Sequence, residues 1–250
     1  MHSQEIKRLK QRVNLLSMGL LTVSVILVGL LLFSFVMNKT GNFDEITARK
    51  IIIVEPDGAP RMILANSQNS PANLEHGKTY GLKSGGRPGI IFYNDEQTEC
   101  GGLVFTGRRN PKTGEYFASG HFSFDQYDQN QVLYLQYRDD NGFKKTGLYV
   151  DDWHDAPSFS KFRKEYKAAE KITDSTKRAL RLQELRFPEN GTPAFANRVF
   201  LGKDGSKNAI LNLSDTKGNV RLQLKVDSSG NGQILFLNEK GEVISEFPNA

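Results

Sequence analysis

The sequence predicts a mainly β protein: an N-terminal transmembrane helix, then an antiparallel β meander or sandwich-like domain with an inserted amphipathic helical hairpin. Three observations support this class. Residues 13–38 contain no charged side chain, the last fifty residues alternate apolar and polar positions between regular turns, and residues 158–187 change to a helical spacing. A period of two is typical of half-buried strands, and a spacing of three to four is typical of helices.

The uncharged run predicts a helix that crosses a membrane. A bilayer core needs about 20 apolar residues in a helix. Residues 15–37 include fifteen Leu, Ile, Val and Phe, which at roughly −0.3 to −0.6 kcal/mol each favour insertion. A cleaved signal peptide would be shorter and would carry a small-x-small cleavage site, which this run lacks. The marker residues of the span are Leu15, Leu20, Leu27, Phe33 and Met37.

The charges beside the span predict its orientation. Four cations precede it, namely Lys7, Arg8, Lys10 and Arg12, whereas the cations that follow are dispersed among acids. By the positive-inside rule, residues 1–12 form a basic cytoplasmic tail and residues 39–250 lie beyond the cytoplasmic (inner) membrane. The single cysteine, Cys100, excludes an intrachain disulfide, which favours a bacterial periplasm over a eukaryotic exterior.

Two similar hairpins predict how the β domain is organised. In the first, residues 48–65, two apolar runs flank the turn Pro56-Asp57-Gly58. The second, residues 198–213, aligns with it at Asp204-Gly205, and further turns follow at Gly218, Gly230 and Gly241. We expect the C-terminal meander, residues 191–250, to pack with the first hairpin, while residues 66–197 are inserted between the two.

The inserted region contains a long loop, several strands and a helical segment. Residues 66–89 are poor in core-forming side chains and predict a loop, within a β domain that extends from 39 to 157. Residues 158–190 predict two short amphipathic helices. Residues 158–187 contain nine Lys and Arg and four acids, so this segment carries a charge of +5, the same as the net charge of the whole chain. A solvated basic face is the simplest interpretation; a surface for an acidic partner or for lipid headgroups is the alternative.

Several short motifs resemble those of a family of bacterial single-pass membrane proteins without a known activity. They are Phe43–Arg49, Glu55–Gly58, Phe92–Glu96, Gly101–Leu103, Ser123–Tyr127 and Gly218–Leu224. The resemblance covers nearly all of residues 43–247. It implies one N-terminal transmembrane helix with a β-rich domain and a C-terminal meander, and it implies no catalytic residue.

Three groups of residues could carry chemistry. Cys100 could act as a nucleophile with His76 or His121, although their spacing does not bring them together. Glu99, Asp125 and Asp128 could form a glycosidase-like carboxylate pair if they converge. An oxygen-ligand metal site could use three closely spaced carboxylates, namely Asp151, Asp152 and Asp155.

A binding surface is the more suggestive interpretation. Side chains that stack and form hydrogen bonds lie together on loops between strands, as a glycan or peptide ligand requires. The candidate binding residues are Arg108, His121, Asp125, Gln126, Tyr127 and Asp128. The sequence contains no pattern for a cofactor, and it has no basic stripe with stacking aromatic residues for nucleic acid.

Two functions from different classes follow from these features. The first is a membrane-anchored binding or assembly module without enzymatic activity, which contacts the bilayer and engages a membrane-protein partner, further copies of itself or a wall polymer. The second is an envelope hydrolase or metal-dependent enzyme that acts on a cell-wall or glycan substrate. Convergence of Glu99, His121, Asp125 and Asp128 around one cleft would favour the enzyme.

Overall fold

The computed structural model of the chain describes residues 2–36, 42–188 and 192–248. The helices are α1 (His2–Val36), α2 (Phe159–Glu170) and α3 (Ser175–Arg186). The strands are β1 (Lys50–Val54), β2 (Pro60–Ala65), β3 (Asn73–Glu75), β4 (Lys78–Tyr80), β5 (Gly89–Tyr93), β6 (Glu99–Arg109), β7 (Tyr116–Asp125), β8 (Gln131–Asp140), β9 (Phe143–Trp153), β10 (Phe195–Lys203), β11 (Ala209–Ser214), β12 (Val220–Val226), β13 (Gly232–Leu237) and β14 (Val243–Phe247).

Helix α1 belongs to a first unit, residues 1–47, and is long and apolar enough to cross a membrane. Leu15, Leu20 and Leu27 are all more than half exposed along it. The hydroxyl of Thr22 donates to the carbonyl of Met18 at 2.9 Å, so this polar group is satisfied within its own helix. Phe33 lies in the helix, and Met37 falls outside the described residues.

The second unit, residues 48–250, is built on one antiparallel sheet of twelve strands. Its order is β1-β2-β5-β6-β7-β8-β9-β10-β11-β12-β13-β14, and β3 and β4 form a separate hairpin. Each strand of the large sheet therefore pairs with its nearest neighbours along the chain. The mainly β class is confirmed, in the meander form: one broad sheet rather than two sheets packed together.

The structure differs from the sequence expectations in three places. The first hairpin and the C-terminal meander share one sheet but occupy its opposite ends, because β5 to β9 lie between them. Residues 66–88 are not a structureless loop, since they contain the β3–β4 hairpin. Two of the three carboxylates predicted as a metal site, Asp151 and Asp152, lie within a strand, because β9 continues to Trp153 and pairs there with Phe195 of β10.

The two faces of the large sheet are covered to different degrees. On the face that we call the covered face, Ile63, Ala65, Ile91 and Tyr93 form a buried cluster against Leu74 of β3. Further along this face, Trp153 packs in edge-to-face geometry against Phe159 and Phe162 of α2, with ring centroids 5.4 and 6.1 Å apart. The β3–β4 segment and α2 therefore bury apolar surface on this face.

Five turns repeat one hydrogen-bonding pattern. The first residue of each is Asp or Asn, and its Oδ1 accepts the backbone N–H groups two and four residues later. These first residues are Asn94, Asp204, Asp215, Asp227 and Asn238. The fourth residue of each turn has a positive φ, and it is Gln97, Lys207, Gly218, Gly230 or Gly241.

The repeated turn predicts a stabilising substitution. Lys207 has a φ of 69° where three equivalent turns carry glycine. A side chain in this left-handed region costs roughly 1–2 kcal/mol, part of which is offset by the greater chain entropy of glycine. We expect Lys207→Gly to raise the free energy of unfolding by about 1 kcal/mol in urea denaturation followed by circular dichroism.

The reverse change is the matched control. No atom lies within 4 Å of a Cβ built on Gly230, which has a φ of 92°. Gly230→Lys therefore introduces backbone strain without a clash and should lower stability by a similar amount. An unchanged or lower stability for Lys207→Gly would contradict the prediction.

Candidate functional site

The face opposite the covered face is apolar from one end of the sheet to the other, and we call it the open face. In β8, Leu133, Leu135 and Tyr137 point to it, and the register of the pairs continues this alternation across the neighbouring strands. In β12, the side chains of Leu222, Leu224 and Val226 point to the open face, as the alternation of the sequence predicts.

Fifteen large apolar side chains on the open face are more than a third exposed. They are Ile51, Ile53, Leu64, Leu103, Phe105, Phe124, Leu133, Leu135, Tyr137, Leu201, Leu213, Leu224, Val226, Phe236 and Phe247. At roughly 150–200 Å² for each whole side chain, the exposed apolar area is on the order of 1,000 Å². The largest patch on a typical monomer is about 300–600 Å², so this face is unusually apolar.

Charged groups on the open face are confined to its margins. Among the described residues, these charged groups are Arg109, Asp139, Lys144, Asp152 and Lys203, each within two residues of a strand end, and Arg198, which pairs with Asp152. Between these margins lie two depressions of about 480 and 660 Å³, lined mainly by apolar side chains of β10–β13 and of β6–β10 respectively. An apolar centre with a polar rim is the composition of a protein interface.

A second cluster forms where three turns meet at one end of the strands. The His76 ring lies between two carboxylates, with Nδ1 3.2 Å from Glu96 and Nε2 3.0 Å from Asp128. The Tyr127 hydroxyl donates to Glu96 at 2.6 Å. Metal-ligating atoms of His76, Glu96 and Asp128 lie within 4.8 Å of one another. Each ring nitrogen faces its own carboxylate, so the ring, when protonated, can donate to both and link its own turn to the other two.

The position of His76 predicts a pH dependence of stability. The hydrogen bond to Asp128 raises the pKa of His76 above its ordinary value of 6.5, and the charge of Glu96 adds to this effect. A raised pKa means that the folded protein binds the proton more tightly than the unfolded chain. The stabilisation by His76 is therefore complete below pH 6.5 and is lost as the pH rises through the folded-state pKa. We expect His76→Asn to lower the Tm at pH 5.5 more than at pH 9.

His121 serves as the opposite control. It lies on the covered face with its ring centroid 5.3 Å from that of Tyr134, and burial lowers its pKa. Protonation of His121 therefore opposes folding, and His121→Asn should make the protein less sensitive to acid than the wild type. Equal effects of His76→Asn at both pH values would show that the ring is not the charged link between the turns.

The other buried charges hold the segment of residues 66–88 on the sheet. The Arg87 guanidinium donates to both oxygens of Glu99, at 2.6 and 3.1 Å, and to the carbonyl of Pro71. Asn73 donates to the same carboxylate at 3.0 Å. Nearby, burial and the charge of Glu99 raise the pKa of Asp125 to about 7. Glu99 is thus fully engaged as a structural ion-pair partner.

The structure divides the predicted binding residues between two ends of the sheet. Asp125 ends β7, and the turn after it places Tyr127 and Asp128 beside Glu96 and His76. Arg108 pairs with Phe117 at the start of β7, about 27 Å from Asp125 at 3.4 Å per residue. His121 lies within β7, and Gln126 donates to the carbonyl of Trp153 at 3.3 Å and to Asp155 at 3.2 Å.

The three carboxylates predicted as a metal site have separate partners. Asp151 accepts hydrogen bonds from Tyr134 and from Asn197, at 3.2 and 2.6 Å. Asp152 pairs with Arg198. Asp151 and Asp152 are consecutive residues of β9 and so point to opposite faces of the sheet. The structure therefore does not bring these two side chains to one point.

Sequence reasoning missed the role of Arg87 and the meeting of His76 with Glu96. Arg87 sits in a polar segment without periodicity, and 52 residues separate His76 from Asp128. One local signal was present, because Asn94–Thr98 has the same Asx turn as the C-terminal hairpins and Glu96 occupies its tip. No protein-family model matches the chain, and no curated protein is significantly similar to it.

Proposed function

We propose that this protein is a membrane-anchored assembly module whose copies associate through the open face. The observation that carries the proposal is the apolar area on that face, on the order of 1,000 Å², which exceeds the roughly 800 Å² that each partner buries in a typical stable interface. Helix α1, which is long and apolar enough to cross a membrane, supplies the anchor. The four basic residues before its apolar run favour a cytoplasmic N-terminus and a periplasmic sheet domain.

The anchor limits the symmetry of such an assembly. Every copy enters the same bilayer in the same orientation, so a symmetry axis lying in the membrane plane is excluded. Closed homo-oligomers of this kind are therefore cyclic, with the axis perpendicular to the membrane. The open faces of two or more copies would then meet around this axis and remove their apolar side chains from water.

Mild detergent extraction followed by native mass spectrometry tests the proposal. We expect the full chain to appear as a homo-oligomer of defined stoichiometry, and protease added to intact spheroplasts, which lack the outer membrane, to digest the sheet domain. A monomer that retains acyl lipids in the depressions of the open face would overturn self-association, since another apolar ligand would then occupy the surface. Protection of the domain in intact spheroplasts would overturn the orientation.

A further inference from the structure

A basic groove lies along α2, on the covered side of the sheet, and its N-terminal end adjoins the turn cluster because the Phe159 N–H donates to the carbonyl of Asp128. It has a volume of about 710 Å³, and its walls are one side of α2 and the segment that contains Tyr80 and Gly81. Its five cations are Lys161, Arg163, Lys164, Lys167 and Lys171. Within the described residues, Lys167 pairs with Glu170 at 2.6 Å, whereas the other four form no ion pair.

The groove is held in place by packing on its inner side. Phe162 and Ala169 on the opposite side of α2 are buried, which fixes the rotation of the helix about its axis. Arg163 is half-buried and packs against Gly81, because a Cβ built on that glycine would lie 2.9 Å from the Arg163 Nε. The cations are therefore presented together on one ordered surface.

The acidic group nearest the start of α2 comes from another segment, since the Ser160 hydroxyl donates to the Glu75 carboxylate. The N-terminus of a helix carries a partial positive charge, which acidic side chains usually offset. The first turn of α2 contains no acidic residue, and Lys161, Arg163 and Lys164 lie within its first six positions. The Ser158 side chain does not cap this end. The first N–H group of α2, that of Phe159, already donates to the carbonyl of Asp128 at 2.8 Å. An anionic ligand in the groove would therefore neutralise the cations rather than this end of the helix.

We propose that the α2 groove binds the phosphate groups of anionic lipid headgroups. This assignment rests on the proposed function, in which α1 ties the domain to a bilayer and so keeps headgroups at a high effective concentration. Lysine and arginine side chains near a surface of anionic lipid bind it electrostatically. The sheet domain would then have a second, reversible contact with the membrane besides its anchor.

Calorimetric titration of the full chain in a neutral detergent tests the site. The probes are dihexanoylphosphatidylglycerol, dihexanoylphosphatidylcholine and inorganic phosphate. We expect phosphatidylglycerol to bind at least tenfold more tightly than either alternative. The triple variant Lys161→Gln, Lys164→Gln, Lys171→Gln should bind phosphatidylglycerol at least tenfold more weakly than the wild type. The control variant Lys207→Gln, Lys217→Gln, Lys240→Gln removes the same charge from distant turns. Its affinity for phosphatidylglycerol should stay within twofold of that of the wild type.

Several outcomes would overturn the assignment. Equal binding of the two lipids would remove the role of charge, and inorganic phosphate binding as tightly as phosphatidylglycerol would assign the groove to a free anion. Binding that is unchanged in the triple variant would place the lipid elsewhere. Failure of the proposed anchor is recognised separately, because the full chain would then wash off vesicles in carbonate while the micelle titration still reports on the groove.

Discussion

Leu224→Glu and Leu135→Glu are each expected to convert the proposed homo-oligomer into a folded monomer. The two side chains are 38% and 52% exposed in the single chain and lie in the apolar middle of the open face. In a monomer the new carboxylate reaches water, so stability should change by less than about 1 kcal/mol. In the assembly it would be buried without a partner, which costs several kcal/mol and weakens association by about 100-fold or more.

The control substitutions lie on the other face of the same strands. Gln223 and Gln136 are the neighbours of Leu224 and Leu135 in sequence, and they point to the covered face. Gln223→Glu and Gln136→Glu add the same charge and should leave the oligomer intact. Native mass spectrometry and sedimentation in mild detergent measure the four variants together. Identical mass distributions for all of them would show that the open face is not the interface.

Arg87→Leu is expected to cost about 3–5 kcal/mol of folding free energy. The side chains of Arg87 and Glu99 are only 17% and 12% exposed, and two hydrogen bonds join them. Removal of the guanidinium leaves the Glu99 carboxylate buried without its counter-ion, which is the main cost of breaking a buried ion pair. Because Arg87 also donates to Pro71, the segment of residues 66–88 should lose protection from hydrogen exchange before the rest of the sheet.

A double variant and an exposed ion pair complete this experiment. Arg87→Leu combined with Glu99→Leu removes both charges and should be more stable than Arg87→Leu alone, since no unpaired charge is left. Arg61 also pairs with a carboxylate, at 2.9 Å from Glu55, but both groups are more than a third exposed. Arg61→Leu should therefore cost less than about 1 kcal/mol. If Arg61→Leu and Arg87→Leu lower the free energy of unfolding equally in urea denaturation, burial of the ion pair is not the cause of the larger loss expected for Arg87→Leu.

Local patterns predicted the elements of this chain with good accuracy. The described part of the uncharged run lies in α1, which begins earlier, at His2. The alternation near the C-terminus corresponds to strands such as β12, and the amphipathic pattern of residues 158–190 corresponds to α2, with Phe162 and Ala169 buried, and to α3. These predictions succeed because strand and helix periodicity, turn chemistry and apolar length act between residues close in sequence. The Asx turns that follow β10, β11, β12 and β13 also depend only on residues close in sequence, so the sequence predicts them as well.

The candidate sites depended on contacts that sequence distance hides. His76, Glu96 and Asp128 come from three turns, and only the order of β5 to β8 in the sheet places those turns side by side. The same topology separates Arg108 from Asp125, because the two residues lie at opposite ends of β7 and its neighbour. Spacing along a chain does not indicate which strand ends coincide until the pairing is known.

By itself, the sequence determined that an apolar helix precedes a β-rich domain, that the strands of the meander are apolar on one side, and that the positive charge is concentrated around α2. Tertiary structure alone decided that the strands form one sheet of twelve, that the 66–88 segment and α2 cover only one face, and that the other face stays open. The reason is physical: alternation specifies which side chains must leave water, whereas the packing of distant segments decides whether this chain or another copy covers them.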